Sequence, residues 1–146
     1  MIFLRLFGLL LLLRRTLMTL ETNAGKDWRA GIMGSASGSP ANYVGLTANA
    51  TAPAAGDTTL TAEIATAGGG LIRKQGTYAH TAGTASFTLT TTFTANGTDV
   101  LPVTIAKRGV FTAATSGTMS YEALVSPTAT LSASGDQLTL TDTFNL

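Results

Sequence analysis

From Ser86 to Thr94 the chain alternates strictly, with Phe87, Leu89, Thr91 and Phe93 on one side and Thr88, Thr90, Thr92 and Thr94 on the other. A period of two residues predicts a strand, here with an apolar inner face and a threonine outer face. Read the same way, residues 42–47, 71–81, 100–111, 118–125, 128–132 and 137–146 also predict strands, with Pro127 interrupting the run between the fourth and fifth of these. Pro102 suits the first residues of its strand or an edge. Asn96-Gly97 is expected to turn the 86–94 strand back into the 100–111 strand as a hairpin, and Ser116-Gly117 and Ser134-Gly135-Asp136 mark further turns. Residues 47–60 are an Ala/Pro/Gly-rich loop, and residues 60–67 (LTAEIATA) predict one or two helical turns stopped by Gly68, Gly69 and Gly70.

Short strands separated by turn chemistry predict an all-β fold. The expected architecture is an antiparallel β-sandwich, jelly-roll or Ig-like, over residues 41–146, preceded by an extended N-terminal arm. No fixed repeat is present that would predict a solenoid.

Composition sharpens this picture. Charged residues make up 12% of the chain, against about a quarter in an ordinary soluble domain. A surface so poor in charge is weakly protected against association, which points to a protein assembled in multiple copies, a homo-oligomer such as a trimer. The net charge of +1 and the absence of a Lys/Arg stripe with interleaved aromatics disfavour a nucleic-acid partner. With no cysteine there is no disulfide framework and no thiolate chemistry.

The first seventeen residues, MIFLRLFGLLLLLRRTL, differ from the rest. Arg5 interrupts an apolar run shorter than the roughly 20 residues of a spanning helix. Arg14 and Arg15 follow the apolar block, the reverse of a secretory signal. Residues 1–17 therefore read as an upstream extension, with Met18 the natural start and no membrane partner. Residues 18–40 read as a flexible docking arm, whose anchors in a Gly/Ser-rich context are Trp28, Arg29, Ile32 and Met33.

Candidate chemistry is sparse. His80 is the only histidine, and no G-x-S-x-G elbow accompanies it. The reading of a strand-end histidine bonded to backbone or to a neighbouring chain outweighs that of a catalytic base, so no catalytic residue and no enzyme activity is expected. The glycine run before Arg73 and Lys74 precedes a strand where a phosphate loop would precede a helix. One histidine, no cysteine and dispersed aspartates predict no metal site and no cofactor. Tyr43, Tyr78 and Tyr121 are the aromatic platforms a surface-binding module would use.

The stretches WRAGIMG, ANYVGLTANATAPAAGDTTL, EIATAGGGLIRKQGTYAHTAGTASFTLTTTFTANGTDVLPVTIAKRGVF and TMSYEALVSPTATLSASGDQLTLTDTFNL resemble a group of small virion structural proteins of tailed bacteriophages, often labelled tail-fibre or head-tail proteins. The resemblance runs from about Trp28 to Leu146 and leaves out residues 1–17. It implies a compact β-domain used as a repeated part of the virion, of tail-fibre or capsid-decoration type, whose partners are other capsid or tail proteins. The rival reading is a carbohydrate- or host-surface-binding β-module at a fibre tip.

Overall fold

A computed structural model of the chain describes residues 20–26 and 39–145. Their strands are β1 (Leu20–Glu21), β2 (Tyr43–Thr47), β3 (Lys74–Gln75), β4 (Thr77–His80), β5 (Ser86–Thr94), β6 (Val103–Phe111), β7 (Met119–Leu131) and β8 (Gln137–Asn145). They form two antiparallel sheets, one ordered β1-β7-β6-β2-β3 and the other β4-β5-β8. The fold is all-β, and the two sheets pack as a sandwich.

Strand alternation decides what each face carries. Across β2, β6 and β7 of the larger sheet, the rows Val44–Val110–Tyr121 and Leu46–Arg108–Ala123 face the smaller sheet. The intervening rows, Gly45–Gly109–Glu122 and Thr47–Lys107–Leu124, face the other way, as do Tyr43, Phe111 and Met119. Val44, Leu46, Ile105, Val110, Val125 and Leu131 meet Leu89, Phe93 and Phe144 of the smaller sheet in the main core. A second, smaller core of Leu60, Phe111 and Met119, flanked by Tyr43, lies on the opposite face of the larger sheet, beneath the loop that follows β2.

Two local features divert the chain from simple alternation. At Gly76 the predicted 71–81 strand breaks: β3 lies in the larger sheet and β4 in the smaller. The Gly76 N–H still donates to the Asn42 carbonyl (2.8 Å) while Thr77 already pairs with Thr90. A Cβ at Gly76 would stand 2.7 Å from the Leu89 side chain, so this crossing needs a glycine. In β6 the register slips between Ile105 and Lys107. This bulge changes parity, so that Ile105 and then Arg108 point inward while Lys107 points outward.

Several expectations need correction. Residues 60–67 form no helix; Thr61 and Ala62 turn, Glu63 makes a lone antiparallel bridge with Thr47, and the Ile64 N–H donates to the Leu46 carbonyl (2.8 Å). Packing against β2 overrides weak local helix propensity. Asn96-Gly97 does not close a hairpin, because β5 and β6 belong to different sheets. The connection holds Val100 (80% exposed) outside any strand, and β6 begins only at Val103. Residues 20–26, assigned by sequence to the flexible arm, are β1 and a helical turn seated on β7. Thr22 is fully buried there and its Oγ1 donates to the Met119 carbonyl (2.7 Å). Ser116 and Gly117 do turn the chain between β6 and β7, with φ of 56° and 72°. Residues 125–128 have no partner in the β6–β7 ladder, yet β7 runs through Pro127 as one strand where two were expected.

Phe93 is fully buried and Thr92, its neighbour in β5, is exposed. Phe93→Ala should therefore lower unfolding free energy by about 3–5 kcal/mol, and Thr92→Ala by no more than about 1 kcal/mol. Urea denaturation of the two variants checks the assignment of faces.

Candidate functional site

The smaller sheet presents a face of unusual uniformity. Its outer surface carries Thr77 and Ala79 from β4, Thr88, Thr90 and Thr92 from β5, and Thr139, Thr141 and Thr143 from β8. No charged side chain stands among them. β5 and β8 pair over nine residues without a slip, from Ser86↔Asn145 to Thr94↔Gln137. Hydroxyl contacts link the strands at Thr90–Thr141 (3.2 Å) and Thr92–Thr139 (2.8 Å). A threonine pair of this kind holds cross-strand register and leaves a level, neutral surface.

Inside the same sheet an aromatic row runs outward to solvent. Tyr121 contacts Phe144 (ring centroids 4.8 Å), Phe144 stacks on Phe87 (4.8 Å), and Phe87 meets Tyr78 (5.4 Å). Tyr78 ends the row at the β4 edge and is 61% exposed. His80 shares its face, closes β4, and places Nδ1 2.8 Å from the Ser86 carbonyl. This is the backbone-bonded strand-end histidine expected from the sequence.

The three candidate tyrosines do not share a surface. Tyr43 is half-buried against the small core on the far face of the larger sheet. Tyr121 is half-buried between the sheets, its hydroxyl donating to Glu21 Oε1 (3.2 Å). Only Tyr78 offers an open ring. Trp28, Arg29, Ile32 and Met33 lie outside the described residues.

Buried charge is concentrated on the larger sheet, and each group there is engaged. Arg73 lies 3.4 Å over the Phe111 ring and forks onto both Glu63 oxygens (Nε 2.8 Å, Nη2 2.6 Å). Its Nη1 donates to the carbonyls of Ala113 (3.0 Å) and Ser116 (2.6 Å). A depression of about 480 Å³ beside it, lined by Ile64, Ala65, Ile72 and Ser116 among others, therefore has at its wall an arginine most of whose donors are engaged within the chain. Arg108 directs Nε and Nη2 to Asp142 Oδ1 across the sandwich and Nη1 to the Leu124 carbonyl (3.0 Å). Asp99 accepts from the N–H groups of Asn96 (2.8 Å), Gly70 (2.9 Å) and Leu71 (3.3 Å), clasping the glycine run to the β5–β6 connection. These groups hold loops and sheets together.

The remaining cluster is Asp57, Glu122 and Lys107. The Ala54 N–H is shared between Asp57 Oδ2 (3.1 Å) and Glu122 Oε1 (2.9 Å), which brings the two carboxyl groups together under the loop. Lys107 Nζ lies 3.3 Å from Glu122 Oε2. Burial, reinforced by the hydrogen bond to Asp57, raises the Glu122 pKa above its ordinary value. Accepting from Glu122 and from the Ala54 backbone lowers that of Asp57. The shared contact thus moves the two carboxyl groups apart in acidity, Glu122 upward and Asp57 downward.

Sequence reading missed the three ion pairs seen among the described residues. Its available signal was Lys107-Arg108 inside the apolar run of β6, since adjacent cations in a buried strand require carboxylates on both faces. Among the described residues no three His, Cys, Asp or Glu side chains group as a metal site would. No helix of the described residues is long and apolar enough to cross a membrane.

The chain matches no family model and no curated protein.

The carboxyl pair predicts a pH dependence. Between the ordinary glutamate value and the raised value in the fold, the folded chain binds more protons than the unfolded one, so stability falls as pH rises. Below the ordinary aspartate range the lowered pKa values of Asp57 and Asp136 act oppositely, and stability falls as pH falls. Glu122→Gln should flatten the upper slope and leave the lower one, measured by thermal unfolding across pH.

Proposed function

We propose that the chain is a structural protein of a tailed-bacteriophage virion, of tail-fibre or capsid-decoration type, assembled in multiple copies on the particle. The observation that carries this reading is the outer surface of the smaller sheet, a neutral, mostly threonine array ending at the open β8 edge. Such a surface lacks the charge that keeps a free monomer apart from its neighbours. Groups with the strongest electrostatics are spent internally, on Arg73–Glu63, Arg108–Asp142 and Lys107–Glu122. The resemblance of residues 28–146 to small virion proteins supports the same reading. Its partners are other capsid or tail proteins, reached through the sandwich and through an arm bearing Trp28, Arg29, Ile32 and Met33.

One observation favours the rival reading of a host-surface module: the exposed Tyr78 ring, backed by Phe87, is the kind of platform on which a sugar ring stacks.

The test is to purify phage particles from cells expressing the chain and its Trp28→Ala/Arg29→Ala variant. The intact chain should be found in the particles in multiple copies, and the variant should fold with an unchanged melting temperature yet be depleted from them. Absence of the intact chain from particles overturns the virion reading. Specific glycan binding that is lost in Tyr78→Ala would put the surface-binding module in its place.

A further inference from the structure

Among the described residues the sandwich has four strand edges, and three of them are short or covered. β1 and β3 are two residues long, and β4 is four. Beyond the end of β4, Lys74 reaches across to the Thr92 carbonyl of β5 (3.4 Å) and covers that exposed acceptor. β8 is different. It is nine residues long, pairs with β5 on one side only, and has no backbone hydrogen bond from its outer side among the described residues.

Proteins blunt such edges with lysine, proline, a bulge or an inward charge. β8, with the sequence QLTLTDTFN, has no lysine, no proline and no register slip. Its one charged residue, Asp142, is buried and neutralised by Arg108. A second strand can therefore approach without meeting an unpaired charge.

We propose that this edge is occupied by β8 of a second copy of the chain, antiparallel about a twofold axis at Thr141. The occupant follows from the pattern of the strand itself. A twofold at Thr141 is the register that pairs all nine residues. It sets Thr141 against Thr141, Thr139 against Thr143 and Gln137 against Asn145 on the outer face. On the inner face it sets Leu138 against Phe144 and Leu140 against Asp142, whose carboxylate is taken up by Arg108 of its own chain. A twofold at Asp142 would instead place the two buried aspartates opposite one another, which like-charge repulsion forbids. The result is a six-stranded sheet, β4-β5-β8-β8-β5-β4, with the threonine array continuous across the axis.

This contact deepens the multi-copy reading above, and its test is independent of the particle. The chain has no cysteine, so Thr141→Cys introduces a single thiol. Opposed residues of an antiparallel pair have Cα atoms about 4.5–5.5 Å apart, within the roughly 4.4–6.8 Å a disulfide spans. On mild oxidation T141C should cross-link to a dimer, whereas T130C, exposed on the other sheet, should not. The unmodified chain should sediment as a dimer, and T141K, which sets two lysines together at the axis, as a monomer with an unchanged circular dichroism spectrum. A monomeric parent chain, a T141K variant that remains dimeric, or T141C cross-linking no faster than T130C overturns the proposal. A monomer nonetheless found in particles removes this contact and leaves the virion reading standing; a dimer absent from particles does the reverse.

Discussion

A sheet that is apolar on both faces has to be covered twice, and the larger sheet of this protein is such a sheet. Its inner rows, Val44–Val110–Tyr121 and Leu46–Arg108–Ala123, are covered by β5 and β8. Its outer side is covered by irregular chain that follows β2. A loop used as a lid brings backbone polar groups with it, and each buried one needs a partner. Thr47 serves that need by donating to the carbonyls of Thr61 and Ala62, and Glu122 by accepting from Ala54. Glu63 holds Arg73 flat on Phe111, where a side chain at Gly45 would collide with the Glu63 carboxylate. The buried charges are best understood as the means by which a loop is made into a layer.

Among the described residues the smaller sheet is covered only once. Its inner face supplies Leu89, Phe93 and Phe144 to the core, while its outer face is uncharged and mostly threonine. Threonine suits this position physically: its β-branch favours strands, and its hydroxyl satisfies either water or a neighbouring hydroxyl. The sandwich is thus unequal, closed where charge and loop seal the larger sheet and open along β8. That inequality links the fold to the proposed role, since contact between copies needs a level, neutral surface with unspent backbone groups.

How much of this was legible in the sequence depends on whether local pattern or long-range packing decided each element. The alternation in β5 and β8 and the turn at Ser116-Gly117 were legible because a period of two and a positive φ are local properties. The sheet change at Gly76 was not, because a glycine in a strand reads alike whether it marks a bulge, a bend or a crossing. Nor was the crossover at Asn96-Gly97, whose turn chemistry is shared by hairpins and inter-sheet connections. The bulge at residue 106 hid the outward Lys107 and inward Arg108, since a parity change leaves no mark in composition. The helix expected over 60–67 lost to an edge of β2 that needed pairing. Of the candidate site, His80 was read correctly from its place at a strand end, while the tyrosines were scattered by alternation over surfaces that sequence does not relate.

Hydrogen–deuterium exchange, read residue by residue at low and high protein concentration, tests the unequal sandwich most directly. The β5 amides should stay protected at both concentrations, because both neighbouring strands are present within one chain. Alternate amides of β8, those pointing away from β5, should exchange freely when dilute and become protected when concentrated. Outward β8 amides that are already protected in the dilute monomer, or that stay unprotected at every concentration, would contradict it.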